Sequence, residues 1–420
     1  MTNLIGDVSS SARILPDLDG AKLFISRAQG PYVWDTDGKR YVDTALGFGA
    51  VLLGHSPKAV VDAVSEALRS GAAPSFAHTH EHPAASLLAN YTGALSKIMF
   101  TNSGSEAVHL ACRAARAFTG KPVIAKMAAG FDGWFDEVTL ANVGTREAVF
   151  TDGQRPATNQ MTALRFNDEA DLEQLFRERD DIAAILYEPM LANAGCILPK
   201  PGYLQKVQDV ARKNGALLIS DEVLMGFRLH AGLTSHLWGL DPDIATVGKA
   251  IGTGVPVAGV VGKPHILAPF QEGRVARGGT YSGNPLACAA LMSTVAALGN
   301  KNYAELNRRG DFLRGELEAC FRAQGVEVGT SGFGTVFSIW PVSQVPRSYQ
   351  LASTVSDNQF SNDLHLALRR HGLLMMPSAY GRLYLSFAHD DGVVAQMLRS
   401  FEKAAYELSH KIHSASYTGR

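Results

Sequence analysis

Two short stretches hold the residue types best suited to chemistry. Leu217-Leu218-Ile219-Ser220-Asp221-Glu222-Val223 reads as a buried strand ending on an acidic pair. Ile244-Ala245-Thr246-Val247-Gly248-Lys249 reads as a second strand, ending on Gly-Lys. If these strands are neighbours, their ends deliver a carboxylate and an amine into one crevice. The amine can bond an aldehyde. The carboxylate can keep a pyridine nitrogen protonated, so that the ring draws electrons from a substrate carbon. Pyridoxal phosphate chemistry needs both. Each piece alone also has an ordinary reading, since most lysines are solvated and Asp-Glu after a strand is a common loop start.

The elements that would position this pair recur along the chain. Lys97–Thr101 reads as a strand, followed by the small-residue turn Asn102-Ser103-Gly104-Ser105-Glu106 and a helix through Phe118. Strand, tight turn and helix aim free backbone N–H groups at a phosphate, although an ordinary N-cap at Ser103 leaves the same pattern. Val123-Ile124-Ala125 leads to Gly130-Phe131-Asp132-Gly133-Trp134, where the aromatic suits either a flat cofactor or a core turn. Ile182–Tyr187 is another buried-type strand, ending in Glu188-Pro189, and a helix near Leu204–Lys213 leads to the Asp221 strand. This alternation predicts an α/β fold with a mainly parallel central sheet flanked by helices, binding its ligand at the strands' carboxyl ends. Asn102, Glu188, Asp221 and Lys249 lie at or just past such ends.

The remaining elements are plainer. Tyr32–Trp34 and Tyr41–Val42 flank an Asp-Gly turn and predict a hairpin. A helix is predicted from Pro57, in its first turn, to Ser70, with Gly71 just past its end. Residues 141–160 lack a period and read as a loop or lid. Val257–Gly262 is a further strand, and Gly278–Pro285 a polar turn before a helix. From about residue 300 helices alternate with separated strands (Thr335–Ile339, Leu383–Phe387), with a last helix from about Val393. These features predict a large domain over 56–298. A smaller α+β domain would be built from both chain ends, 1–55 and 299–420.

Bulk properties narrow the function class. The 420 residues are 46% hydrophobic and 19% charged, enough for substantial cores. A formal net charge of −1 gives no reason to expect nucleic acid or an anionic membrane as partner. Cys112, Cys196, Cys288 and Cys320 are far apart and form no CxxC, as for free thiols in a reducing compartment. No apolar run reaches membrane-spanning length and the N-terminus has no basic leader, so a cytoplasmic enzyme is expected.

Taken together, these motifs resemble the class III pyridoxal-phosphate aminotransferases of fold type I. The segments carrying the resemblance are Asn102-Ser103-Gly104-Ser105-Glu106-Ala107, Glu188-Pro189, Asp221 to Arg228, Thr246 to Lys249, and Gly279-Thr280-Tyr281-Ser282-Gly283-Asn284-Pro285. The resemblance implies pyridoxal 5'-phosphate bonded to Lys249, with Asp221 at the ring nitrogen and Val223 and Phe131 on the two ring faces. It further implies phosphate contacts from Ser103, Gly104 and Ser105, and a contact from Thr280 to the neighbouring subunit's phosphate. That last role requires a homodimer with shared active sites. Within the family, Gly6 to Arg13 resembles the loop of the glutamate-1-semialdehyde 2,1-aminomutase-like branch. There the terminal arginine, Arg13 here, binds the substrate carboxylate, and Asn193 would lie near the ring hydroxyl. In the omega-transaminases a mobile arginine occupies the C-terminal strand where this chain has Tyr384, with Arg382 two residues away.

Three departures bear on activity. Phe131-Asp132-Gly133 replaces the usual Tyr-His-Gly. The helix before the carboxylate loop is missing, and residues 141–160 are shorter than the aminomutase's gating loop. The expected reaction is therefore ping-pong transamination between a carboxylate-bearing amino acid, α, β or D, and a keto acid. The aminomutase, which moves the amino group within one molecule, is the alternative.

Overall fold

The computed structural model describes residues 3–417, with the backbone alone for 412–417. Near the N-terminus β1 (Ile25–Gln29), β2 (Tyr32–Asp35) and β3 (Arg40–Asp43) form an antiparallel meander. Its second turn is the expected Asp-Gly hairpin, with Gly38 in the left-handed region. The helix Lys58–Ser70 follows. Pro57 is its extended N-cap rather than a first-turn residue, and Gly71 closes it at φ 119°.

The centre is a seven-stranded sheet of β4 (Lys97–Thr101), β5 (Val123–Met127), β6 (Met161–Leu164), β7 (Ile182–Tyr187), β8 (Leu217–Asp221), β9 (Ile244–Val247) and β10 (Ala258–Gly262). The spatial order is β4-β10-β9-β8-β7-β5-β6, and only β10 runs against the others. Strands β5 to β10 are buried along their whole length, as expected when helices cover both faces. The helix Gly104–Thr119 lies on one face through Ala107, Val108, Ala111, Cys112, Ala114 and Ala115, whose small side chains permit close approach. Ser103 and Glu106 form a reciprocal capping box at its start, and Gly120 ends it in the left-handed conformation.

Farther along are β11 (Gly329–Phe333), β12 (Val336–Trp340), β13 (Leu373–Leu374) and β14 (Leu383–Tyr384). Strands β11, β12 and β14 form a small sheet, while β13 pairs in parallel with β3 and so joins the two chain ends. The last helix is Asp391–Tyr417.

Residues 141–160 form the expected loop, anchored in its first half. Ala141, Ala148 and Phe150 are buried, and Asp152 accepts from Arg165 at 2.6 Å. Isolated apolar positions in a segment without periodicity anchor it to the body, which is why no pattern announced the packing.

Candidate active site

The carboxyl edge of the large sheet converges on one cavity of about 280 Å³. Strand β4 leads into Asn102, Ser103, Gly104 and Ser105, and β5 into the turn with Phe131, Asp132 and Gly133. Strand β7 leads into Glu188 and Asn193, β8 ends on Asp221 before Val223, and β9 is followed by Lys249. All of these residues line the cavity.

Asp221 is held from one side. Its Oδ1 accepts from the Val223 N–H at 3.0 Å and the Thr246 hydroxyl at 2.8 Å, which leaves Oδ2 toward the cavity. The strand pleat turns Glu222 the other way, where it accepts from the backbone N–H groups of Thr234 and Ser235 at 2.9 and 2.7 Å. One of the acidic pair is thus available to a ligand and the other is an anchor. Burial, then the charge of Asp132, raises Asp221 to about 7. A cationic ring nitrogen beside Oδ2 would favour the ionised form.

Lys249 takes φ 43°, in the left-handed region that a side chain rarely occupies. Gly248 before it is extended, so the chain turns sharply out of β9 and the amine meets the cavity. Burial, then the nearby Arg382 guanidinium, pulls this amine down to about 8, against the opposing pull of Asp221 and Glu188.

One end of the cavity is shaped for an anion. Gly104 and Ser105 open a long helix, so their N–H groups have no acceptor within it. A β-carbon on Gly104 would lie 2.8 Å from Val223 Cγ1, and one on Gly133 2.7 Å from Ser105 Oγ. Both glycines are therefore required by close approach, and the space they preserve is the cradle itself. Ser105 Oγ also accepts from the Trp134 N–H at 3.2 Å, joining the cradle to the Phe131 turn. The Phe131 N–H donates to Glu188 Oε1 at 2.9 Å, fixing the aromatic on the cavity wall. Cradle, aromatic, carboxylate and amine together fit pyridoxal phosphate.

Two further expected residues do not line this cavity. Thr280 is exposed and lines a separate hollow with Pro74, Phe76 and His78. Arg13 is exposed on the short turn Ser11–Arg13 and does not line the cavity. The segment around it is held over the C-terminal part, where Arg369 donates to the Pro16 and Ala21 carbonyls at 3.2 Å each. Asp7 pairs with Lys22 at 2.9 Å.

The structure adds groups that sequence reading passed over or left at a distance. Arg382 donates to the Tyr384 hydroxyl at 2.7 Å and to the Ala192 carbonyl at 3.4 Å, next to Asn193. Arg228 is fully buried, donates to the Gly49 carbonyl and lies over the Tyr384 ring at 5.0 Å. Lys126 is buried within β5. A charged residue inside an apolar strand was its one signal in the sequence.

Comparison with known proteins agrees with this arrangement. The family described as aminotransferase class III matches residues 16–404. The glutamate-1-semialdehyde 2,1-aminomutase of Aquifex aeolicus (strain VF5) is 32% identical over 411 residues, covering 96% of each chain. Among solved structures, an omega-transaminase from Sphaerobacter thermophilus aligns with a TM-score of 0.84 and 27% identity, over 97% of this chain and 100% of that one. A beta-phenylalanine aminotransferase from Variovorax paradoxus aligns with a TM-score of 0.83 and 28% identity, over 95% of this chain and 90% of that one.

Proposed function

We propose, for a chain that belongs to the class III aminotransferases, ping-pong transfer of an amino group between a carboxylate-bearing amino acid and a keto acid. The observation that carries this reading is the meeting of the Lys249 amine, the Asp221 carboxylate and the Gly104–Ser105 helix start in one cavity. Pyridoxal 5'-phosphate is the family's cofactor, and when bound it supplies an aldehyde and an electron-accepting ring. Gly104 and Ser105 bind its phosphate, assisted by Ser103 as the cap that sets the helix start. Phe131 and Val223 would flank its ring, Asn193 would reach its hydroxyl, and Asp221 would keep its nitrogen protonated. Lys249 Nζ, lowered toward neutrality, removes the proton from the substrate carbon and returns it one position away. The test is a panel of α-, β- and D-amino acids with and without 2-oxoglutarate or pyruvate, following the cofactor's visible absorbance. Amino-acid-dependent bleaching restored by a keto acid is expected. Conversion of an amino aldehyde with no keto acid required would instead establish the aminomutase, the activity named for the Aquifex aeolicus relative. An aminomutase must retain its intermediate under a lid. The shortness of residues 141–160 supports product release.

The substrate carboxylate needs a cation, and Arg13 is our proposed clamp, brought in by closure of its small-residue loop. Arg382 supports a second reading, because it already lies beside Tyr384 and Ala192 at the cavity's edge. Losing a charge-assisted bidentate pair costs about 1.5–3 kcal/mol. Arg13→Ala should therefore lower kcat/KM roughly tenfold to two-hundredfold for a carboxylated substrate, and far less for the same amine without its carboxylate. Equal losses on both would make Arg13 structural. The same selective loss in Arg382→Gln alone would transfer the role to Arg382.

We further propose a cytoplasmic homodimer in which Thr280 completes the phosphate site of the neighbouring subunit. Its exposure, and its absence from its own chain's cavity, support that reading. Light scattering should give a dimer at every active concentration. Thr280→Ala should weaken cofactor affinity roughly tenfold, the typical worth of one charge-assisted bond. A fully active monomer would contradict both statements.

A further inference from the structure

Lys126 and Asp132 form an ion pair closed off from solvent, with side chains 0% and 2% exposed and Nζ 3.3 Å from Oδ2. Lys126 Nζ also donates to the Val138 carbonyl at 2.7 Å and to Asn142 Oδ1, with the Gly130 carbonyl at 3.5 Å. Four oxygens and no donor surround the nitrogen, which is the environment of an ammonium. The turn between β5 and the Asp136–Thr139 helical turn is thus wrapped around one buried cation, and Asp132 supplies the balancing charge: burial pushes its carboxyl up, while the charge and hydrogen bond of Lys126 oppose that rise. Asp132 Oδ2 has no hydrogen-bond partner among the described residues, so this ion pair is its principal contact.

Asp132 shares the cavity with a second carboxyl, that of Glu188. A β-carbon on Gly130 would sit 3.0 Å from Asp132 Oδ2 and 3.5 Å from Glu188 Oε1, so both acidic groups border the space left by one missing side chain. Glu188 is 3% exposed and receives the Phe131 N–H on Oε1. The charged and titratable groups facing it are Asp132, Asp221, Lys249, Arg382 and Cys196.

We propose that Asp132 is a positioning residue of this site: kept ionised by Lys126, it holds the adjacent Glu188 carboxyl in its protonated, neutral form. The consequence reaches Lys249. An ionised Glu188 would favour the ammonium of Lys249, whereas a neutral one leaves the amine easier to free as a base. Burial first, then the charges of Asp132 and Asp221, raise Glu188 to about 8, opposed by the Phe131 N–H and Lys249. The step to Lys249 rests on the aminotransferase reading. The proton on Glu188 does not, because it belongs to the folded chain without cofactor.

The test therefore uses the apoprotein. Infrared absorption of the protonated carboxyl is followed against pH in the wild type, Glu188→Gln, Asp132→Asn and the double variant Lys126→Met/Asp132→Asn. In the wild type one component of the carboxyl band should fade near pH 8, beside that of Asp221 near pH 7, and Glu188→Gln should remove that component alone. Asp132→Asn alone should lower the unfolding temperature, since it leaves the Lys126 ammonium buried without its partner. The double variant should recover that temperature yet titrate its band at least one pH unit lower, a tenfold loss of proton affinity. A structural ion pair alone would restore both properties together. An unchanged midpoint of that component in the double variant, its survival in Glu188→Gln, or its absence from the wild type would each overturn the proposal. Loss of amino-acid-dependent activity would bear on the aminotransferase reading and leave this titration intact.

Discussion

Lys249→Ala is expected to fold normally, lose the visible absorbance of the bound cofactor and lose at least about four orders of magnitude in turnover. Two functions vanish together, the covalent attachment and the proton transfer. Proton transfer by a placed side chain alone contributes roughly 10²–10⁴-fold. The fold should survive because Lys249 already bears a β-carbon at φ 43°, so alanine inherits the backbone strain without adding to it. Its amine also gives up little on removal, being already drawn from its ordinary value to about 8 by burial and Arg382. Borohydride reduction of the wild-type holoenzyme followed by peptide mapping checks the assignment. Label on another lysine, or measurable turnover in the alanine variant, would remove Lys249 from its role.

Asp221→Asn should keep the fold and retain cofactor, yet turn over roughly 10²–10³ times more slowly. The amide oxygen can still accept from the Val223 N–H and the Thr246 hydroxyl, so the side chain stays in place. What changes is the group at Oδ2. There an –NH₂ donor replaces a carboxylate oxygen, and a protonated ring nitrogen meets a donor where it needs an acceptor. Each unit lost from the proton affinity of that nitrogen is worth about 1.4 kcal/mol, or tenfold in rate when the ring must stabilise negative charge. Two to three units are reasonable in a buried site, where Thr246 is itself fully buried and water screens little. Steady-state kcat and the absorbance of the bound cofactor separate the two effects. Near-normal turnover would mean that another group serves the ring nitrogen.

Much of the scaffold is legible locally. Strands β7, β8 and β9 are short, largely apolar runs that end on Tyr187, Asp221 and Val247, just where Glu188, the acidic pair and Gly248 interrupt the pattern. The Ser103–Glu106 capping box is written in four residues, and the Gly104 and Gly133 approaches follow from needing no side chain there. Residues 141–160 read only as a loop or lid because the anchors Ala148 and Phe150 are single residues without a period. Arg13 could be singled out only by resemblance; it does not line the cavity, and Arg369 secures the segment that follows it.

The sequence by itself therefore determined which residues stand at the carboxyl ends of strands, because strand length and termination are local properties of the chain. It placed Lys249, Asp221 and the Gly104 helix start at or just past such ends for the same reason, while their roles toward a cofactor came from the family resemblance. Tertiary structure alone decided how these groups influence one another. Strand β5 lies beside β7, and that adjacency sets Asp132 against Glu188, groups 56 positions apart in the sequence. Burial then decides their protonation, and likewise brings Arg382 close enough to lower the Lys249 amine. Charge state depends on distance through space and on exclusion of water, and neither quantity is carried by neighbouring residues in the chain.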